Sequence, residues 1–185
     1  WVAVVAYGSN QSPAQLERKF PVGVPVISVQ GRLRDMDALR SAHFSAYGSL
    51  PATPATSPGT LLGISLQWLP LSALPRLHAS EGLGRNYLFA QLPSGKLEMA
   101  CGVPREAWIY MGMHGSARIR GAVSAFSELG ARGRIFPEHS QPTALELVRR
   151  ELGVEEELKP WLQRLCSDPG YRMQMSRALK RAAAP

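Results

Sequence analysis

The chain is short of cysteine, of acidic residues and of long apolar runs. Of its 185 residues only two are cysteine, Cys101 and Cys166. Two thiols so far apart do not make a disulfide framework, and free thiols in a cytoplasmic protein are the reading they favour, although the two could pair. There is no Cys-x-x-Cys or His-x-x-x-His spacing, and His43, His78, His114 and His139 stand isolated, so no metal site is expected. No apolar stretch reaches the length of a membrane span, so no membrane partner is expected. Asp and Glu number 14 against 21 Lys and Arg, a net charge of +7. The Arg residues are dispersed, and the densest run (Arg118, Arg120, Arg132, Arg134) has only Phe126 and Phe136 among it. That pattern fits a soluble basic surface and argues against a nucleic-acid groove. Trp1 is not an initiator residue, so the true start is expected to be missing, and removal of a signal or propeptide stays open.

What is present is a globular composition, 45% hydrophobic and 19% charged, long enough for one domain with a substantial core. The most informative stretch is the first. The run Val2-Ala3-Val4-Val5-Ala6 predicts a buried strand and breaks into Tyr7-Gly8-Ser9-Asn10. A helix over residues 13–20 follows, with Ser12 as its cap, Pro13 at its first position and Gln15 three residues after the cap. A strand, a tight polar loop and a helix start turn backbone N–H groups toward one point, which suits a carboxylate or an oxyanion. The same residues also serve an ordinary turn, Gly8 for backbone freedom and Ser9 and Asn10 for local hydrogen bonds. Ala46-Tyr47-Gly48-Ser49-Leu50 nearly repeats the tetrad but is followed by Pro51, Pro54 and Pro58, and reads as a plain turn.

Further along, residues 26–29 predict a strand, followed by a polar stretch to Ser45, and the Pro-, Thr- and Ser-rich residues 50–60 predict a loop. Strands are predicted over residues 60–66, 87–92, 97–103 and 107–111, with a short Pro-interrupted helix over 71–78 that turns Leu74 and Leu77 to the core. From residue 141 the period becomes helical. Thr143 and Glu146 form a capping box, Gly153 ends that helix, a second begins or breaks at Pro160, and Tyr171, Met175 and Leu179 stripe a third. The expected class is α+β, a single domain with a barrel core over residues 1–140 and a helical extension over 141–185 packed on it.

Glu81 is the candidate chemical residue. It lies after an apolar helix, before Gly82 and a strand opened by Tyr87, where a partly desolvated carboxylate would accept and return a proton near neutral pH. On these residues alone, a surface Glu before a turn is the competing reading.

Residues 2–112 resemble the γ-glutamylcyclotransferase-like family. The motifs that carry the resemblance are Tyr7-Gly8-Ser9-Asn10 after a strand, Gly31-Arg32-Leu33, Ala52-Thr53, Pro58-Gly59, then Leu77 with Glu81-Gly82 and Tyr87, and Ala107-Trp108-Ile109-Tyr110, all in the family's order. Two positions depart: Gln11 stands where the family has Leu, and His78 where a Leu-Asp pair is frequent. The resemblance implies a small mixed β-barrel flanked by helices. It implies release of 5-oxoproline from a small-molecule γ-glutamyl peptide, amine or conjugate by attack of the substrate's own α-amine, with no metal and no cofactor. Glu81 would be general base and acid. The N–H groups of Gly8, Ser9 and Asn10 would hold the glutamyl carboxylate or the oxyanion, and Tyr7, Tyr87 and Tyr110 would shape the pocket. The alternative is a non-catalytic binding or scaffold module on the same fold, which exposure of Leu158, Trp161, Leu165 and Met175 would favour.

Overall fold

Strand β1, Val2–Ala6, is buried at all five positions. It pairs with a strand on each edge, and since successive side chains alternate between the sheet's faces, burial at all five positions means both faces are covered, for which an unbroken apolar run is the fitting sequence. The computed structural model describes residues 1–20, 23–181 and 183; the first part of the expected Pro21–Pro25 loop and the last residues of the tail lie outside these. After β1 a single 3-10 turn, Ser9–Gln11, leads into helix α1, Pro13–Lys19. Ser12 is the cap and Pro13 the first helical residue, as predicted, but the Ser12 side chain makes no capping bond. The N–H groups of Gln15 and Leu16 bond the Ser12 carbonyl instead.

The predicted strand at 26–29 belongs to a much longer one, β2, Ile27–Arg40. The expected loop at 50–60 is for the most part the first half of β3, Ala52–Leu69. Thr53, Ser57 and Thr60 in that stretch are buried, and the Ser57 and Thr60 hydroxyls bond each other at 2.6 Å. Composition marked the stretch as a loop, whereas strand partners and hydroxyl pairs satisfy its polar groups. Gly59 sits within it at φ +78°, its N–H taken by Asp35 Oδ1 at 3.0 Å.

A 3-10 turn, Leu71–Ala73, opens helix α2, Leu74–Glu81. Pro75 lies in its first turn, where a missing N–H costs nothing, so it starts the helix rather than interrupting it. Strands β4 (Tyr87–Gln91), β5 (Leu97–Met99) and β6 (Trp108–Gly112) follow. Five two-residue strands were not predicted: β7 (Arg118–Ile119), β8 (Ala122–Val123), β9 (Ala125–Phe126), β10 (Ala131–Arg132) and β11 (Glu138–His139). Strands this short leave no periodicity to read. The helices at the end are α3 (Gln141–Glu151), α4 (Leu158–Ser167) and α5 (Pro169–Arg181). The cap of α3 is Ser140, whose side chain accepts from the Thr143 N–H at 3.3 Å, not the predicted Thr143–Glu146 box. Glu146 pairs with Arg149 and Arg150 instead. Among the described residues no helix is long and apolar enough to cross a membrane.

The chain forms two compact units: Trp1–Ala38, Pro54–Met113 and Leu129–Ile135 make the first, and Leu39–Thr53, His114–Glu128 and Phe136–Pro185 the second. In the first, the strand order is β5-β2-β3-β1-β6-β4, with β10 on β3. The sheet is mixed: β1 runs parallel to β6, while β1 with β3 and β4 with β6 are antiparallel. The α+β class is as expected, but the sheet stays open and no barrel closes. The three residues of β5 pair with β2 and do not join β4, which leaves β4 an edge. Helices α1 and α2 cover one face through Phe20 and Leu77, which pack with Val2, Val4, Leu69, Tyr87 and Tyr110.

In the second unit the helical stripes are core. Trp161 and Leu165 are fully buried, Trp161 stands edge-on to Phe44 at 5.4 Å, and Leu158 and Met175 pack against the same cluster. These residues do not form the exposed face that would mark a docking module. The Tyr47-Gly48 turn is a turn here too, with Tyr47 exposed and Gly48 at φ +70°. His43 is buried there with its Nδ1 2.9 Å from the Ser41 hydroxyl and its ring 4.2 Å from that of His114. Burial, then His114 and Lys180, push its pKa from 6.5 down to about 3. A folded value below the unfolded one means that His43 contributes its full share of stability above about pH 6.5 and loses it as pH falls toward 3. The protection factors of the α4 amides, hydrogen-exchange rates corrected for the pH dependence of intrinsic exchange, are therefore expected to fall between pH 6.5 and 5, where carboxylates are still ionised. His43→Gln is expected to flatten that dependence, and an unchanged slope in the variant would refute the assignment.

Candidate active site

The Tyr-Gly-Ser-Asn segment leaves the end of β1 and is fixed at both ends. The Tyr7 hydroxyl donates to the Tyr110 carbonyl at 2.6 Å, and the Asn10 carbonyl accepts from Gln67 Nε2 at 2.6 Å. Between them the N–H groups of Ser9 and Asn10 open the 3-10 turn, where no intrahelical acceptor exists. Ser9 is exposed. Gln11 reaches the Ser65 hydroxyl at 3.5 Å, which in turn accepts from Gln30 Nε2 at 2.9 Å. The polar Gln11 thus has polar company where the family's Leu would need none.

Glu81 closes α2 one turn after the fully buried Leu77, and Gly82 follows as a left-handed cap at φ +67°. That conformation is what calls for glycine in the turn that presents Glu81; a Cβ there would also lie 2.8 Å from Asn86 Nδ2, whose side chain would have to shift. Asn10 Nδ2 donates to Glu81 Oε1 at 2.8 Å, which ties the two sequence motifs together directly. The same oxygen receives Lys19 Nζ in an ion pair whose side chains are only 16% and 15% exposed. Among the described residues Oε2 has no such partner, which leaves one carboxylate oxygen for a ligand. Sequence reasoning missed Lys19. It stands in the last turn of α1, where a cation is favoured by the helix dipole whatever else it does. The Asn10 Oδ1 atom is buried with no hydrogen-bond partner among the described residues.

Tyr87 on β4 and Tyr110 on β6 are diagonal neighbours, Tyr87 facing Gly112 and Tyr110 facing Phe89, with ring centroids 6.2 Å apart. Burial first and the Glu81 carboxylate second push both phenols well above their ordinary pKa. Burial does the same to Tyr7, helped by Tyr87 and Glu81. All three hydroxyls therefore stay protonated and able to donate at neutral pH. The Tyr110 hydroxyl meets Nδ1 of His78 at 2.8 Å. The His78 ring stands edge-on to Phe89 at 4.8 Å, and Phe89 stacks on Trp108 at 5.1 Å. Beside the end of α2, an open cleft of about 430 Å³ is lined by His78, Ala79, Gly82, Leu83 and Arg85.

Of the residues singled out in the sequence, Tyr7, Asn10, Glu81, Tyr87 and Tyr110 converge on one place, and Gly8 and Ser9 bring backbone to it. Lys19 and His78 join them. Among the described residues no three His, Cys, Asp or Glu side chains gather as a metal site would require. The arrangement is a carboxylate with one oxygen anchored and one open, and three neutral phenols whose pKa its charge helps to raise.

The fold is that of gamma-glutamyl cyclotransferase. A solved structure of that description aligns with a TM-score of 0.51 at 17% identity, over 88% of this chain and 86% of that one. An uncharacterized protein from Homo sapiens aligns with a TM-score of 0.52, also at 17% identity and over 88% and 86% of the two chains. No protein-family model and no curated protein sequence matches the chain. The cyclotransferase likeness in structure spans more of the chain than residues 2–112, over which the sequence motifs run.

Proposed function

We propose that the protein is a γ-glutamylcyclotransferase-like enzyme that releases 5-oxoproline from a γ-glutamyl peptide, amine or conjugate. The observation that carries the reading is the 2.8 Å bond from Asn10 to Glu81, which puts the single converging carboxylate beside the tetrad loop. The substrate's α-amine attacks its own γ-carbonyl, a five-membered lactam closes, and the attached amine departs. The reaction is intramolecular, so holding the folded-back conformer removes much of the entropic barrier. Backbone N–H groups of Gly8, Ser9 and Asn10 hold the glutamyl carboxylate or the developing oxyanion. Glu81 takes a proton from the attacking nitrogen at Oε2 and returns it to the leaving nitrogen, while Asn10 and Lys19 keep Oε1 in place. Tyr7, Tyr87 and Tyr110 shape the pocket, Tyr7 donating within it to the Tyr110 carbonyl and Tyr87 and Tyr110 offering hydroxyls to the substrate, and no cofactor enters the step.

The test is 5-oxoproline release from a panel of γ-glutamyl dipeptides, amines and conjugates by the purified protein. Release from one panel class well above the uncatalysed rate supports the reading and begins to name the leaving amine. Silence across the panel, with no γ-glutamyl ligand binding either, would remove it.

A further inference from the structure

Ring closure moves two protons, and Glu81 holds only one at a time. The α-nitrogen enters as an ammonium and ends as a lactam N–H, so it gives up two protons. The leaving nitrogen enters as an amide N–H and ends as an ammonium, so it gains two. One of these transfers is the Glu81 shuttle. The other needs a second acceptor that can store a proton during turnover, and imidazole is the side chain suited to that near neutrality.

We infer that His78, acting through the Tyr110 hydroxyl, is this second proton store. The inference rests on the cyclotransferase reading of the site. The geometry has three parts. Tyr110 is tied to the tetrad loop, its carbonyl accepting from the Tyr7 hydroxyl at 2.6 Å, and its partner His78 stands on the same helix as Glu81, three residues before it. The Tyr110 hydroxyl is 2.8 Å from His78 Nδ1. His78 lines the open cleft beside α2, where water can solvate an imidazolium.

The substrate ammonium gives a proton to the Tyr110 oxygen as the phenol passes its own to His78 Nδ1. The ring becomes an imidazolium and no phenolate forms, which accommodates the raised pKa of the phenol. The free amine then attacks: the C–N bond of the lactam forms, the second proton goes to Glu81 and on to the leaving nitrogen, and the old C–N bond breaks. The imidazolium finally returns the first proton through Tyr110 to the departing amine. Both protons lost by the α-nitrogen end on the leaving nitrogen, and His78 and Glu81 regain their starting states. His78 does not touch the substrate and is a positioning and storage residue. The charged and titratable groups around it are Tyr110 on β6, Arg85 in the loop after α2, Glu81 on α2 itself and, through Glu81, Lys19 from α1; Phe89 on β4 faces it uncharged.

The experiment is a pH profile of 5-oxoproline release by wild type, His78→Ala and Tyr110→Phe, with and without added imidazole. Near pH 6.5 both variants are expected to lose about 100-fold in kcat with little change in KM. The deficit is expected to shrink above about pH 8, where the α-amine enters unprotonated and the store is not needed. Imidazole is expected to restore part of the rate of His78→Ala and none of that of Tyr110→Phe. A uniform loss at every pH without imidazole rescue would show a packing role and overturn the inference, as would an unchanged rate in His78→Ala. Absence of release by wild type itself would remove the cyclotransferase reading and His78's role with it, so the two failures are distinguishable.

Discussion

Glu81→Gln is expected to lower kcat for 5-oxoproline release by between about 10²- and 10⁴-fold, the range that a positioned proton carrier supplies. The amide keeps the shape of the carboxylate and can still accept from Asn10 Nδ2, so the tetrad loop should hold its place. It cannot take a proton from the attacking nitrogen, and it leaves the Lys19 ammonium without its anion. Turnover should collapse while ligand affinity moves little, and the melting transition should fall, because the largely buried Lys19 ammonium loses its partner. Ser9→Ala, which keeps the backbone N–H, should be far milder. Steady-state rates and a binding isotherm on the same preparations check this; wild-type turnover in Glu81→Gln would sink the mechanism.

Arg134→Met is expected to destabilise the protein by about 3–5 kcal/mol, the penalty for stranding a buried charge. Asp37 is fully buried in the first unit, and Arg134 grips it with two bonds, Nε to Oδ2 at 2.8 Å and Nη2 to Oδ1 at 3.1 Å. Methionine fills similar volume and removes both donors. The Asp37 carboxylate is then left with the Ala38 N–H at 2.8 Å as its remaining short contact. Denaturant unfolding measures the loss, and the double variant Asp37→Leu/Arg134→Met should recover much of it, because an apolar pair avoids the desolvation of two ions. A single variant within about 1 kcal/mol of wild type would show that the pair is solvated in solution.

The parts of this molecule that were legible in the sequence are those that local chemistry fixes. The β1 run, the Tyr-Gly-Ser-Asn break, Pro13 at a helix start, Gly82 before a strand and the stripe of α5 each need a residue type for a local reason, and the structure agrees with each; α4 instead runs unbroken from Leu158 through Pro160. The long β2 and β3 were not, because Asp35, Thr53, Pro54, Ser57 and Pro58 carry turn chemistry locally and are held in strands by partners distant in sequence. The same division runs through the site. Glu81 sits in a recognisable motif, whereas Lys19 and His78 meet their partners at separations of 62 and 32 residues. Nothing in the neighbourhood of either residue announces those partners. His78 showed only as a departure from a familiar pair, and it took the fold to bring the Tyr110 hydroxyl to it.

The way the chain threads its two units bears on how it is made. The first unit is finished only when residues 129–135 arrive, bringing Arg134 back to Asp37. The second joins residues 39–53 to a stretch that begins at residue 136, as where the Phe44 N–H meets the Ser176 hydroxyl at 3.0 Å. A ribosome extruding this chain thus releases every residue of the candidate site before either unit has its last segment. Phe44 and Leu50 must wait through the synthesis of more than a hundred residues for α4 and α5 to bury them. Contacts so distant in sequence form late and slowly. The nascent chain exposes apolar surface throughout that interval, which makes it a natural client for chaperones that shield such surface until the C-terminal helices emerge.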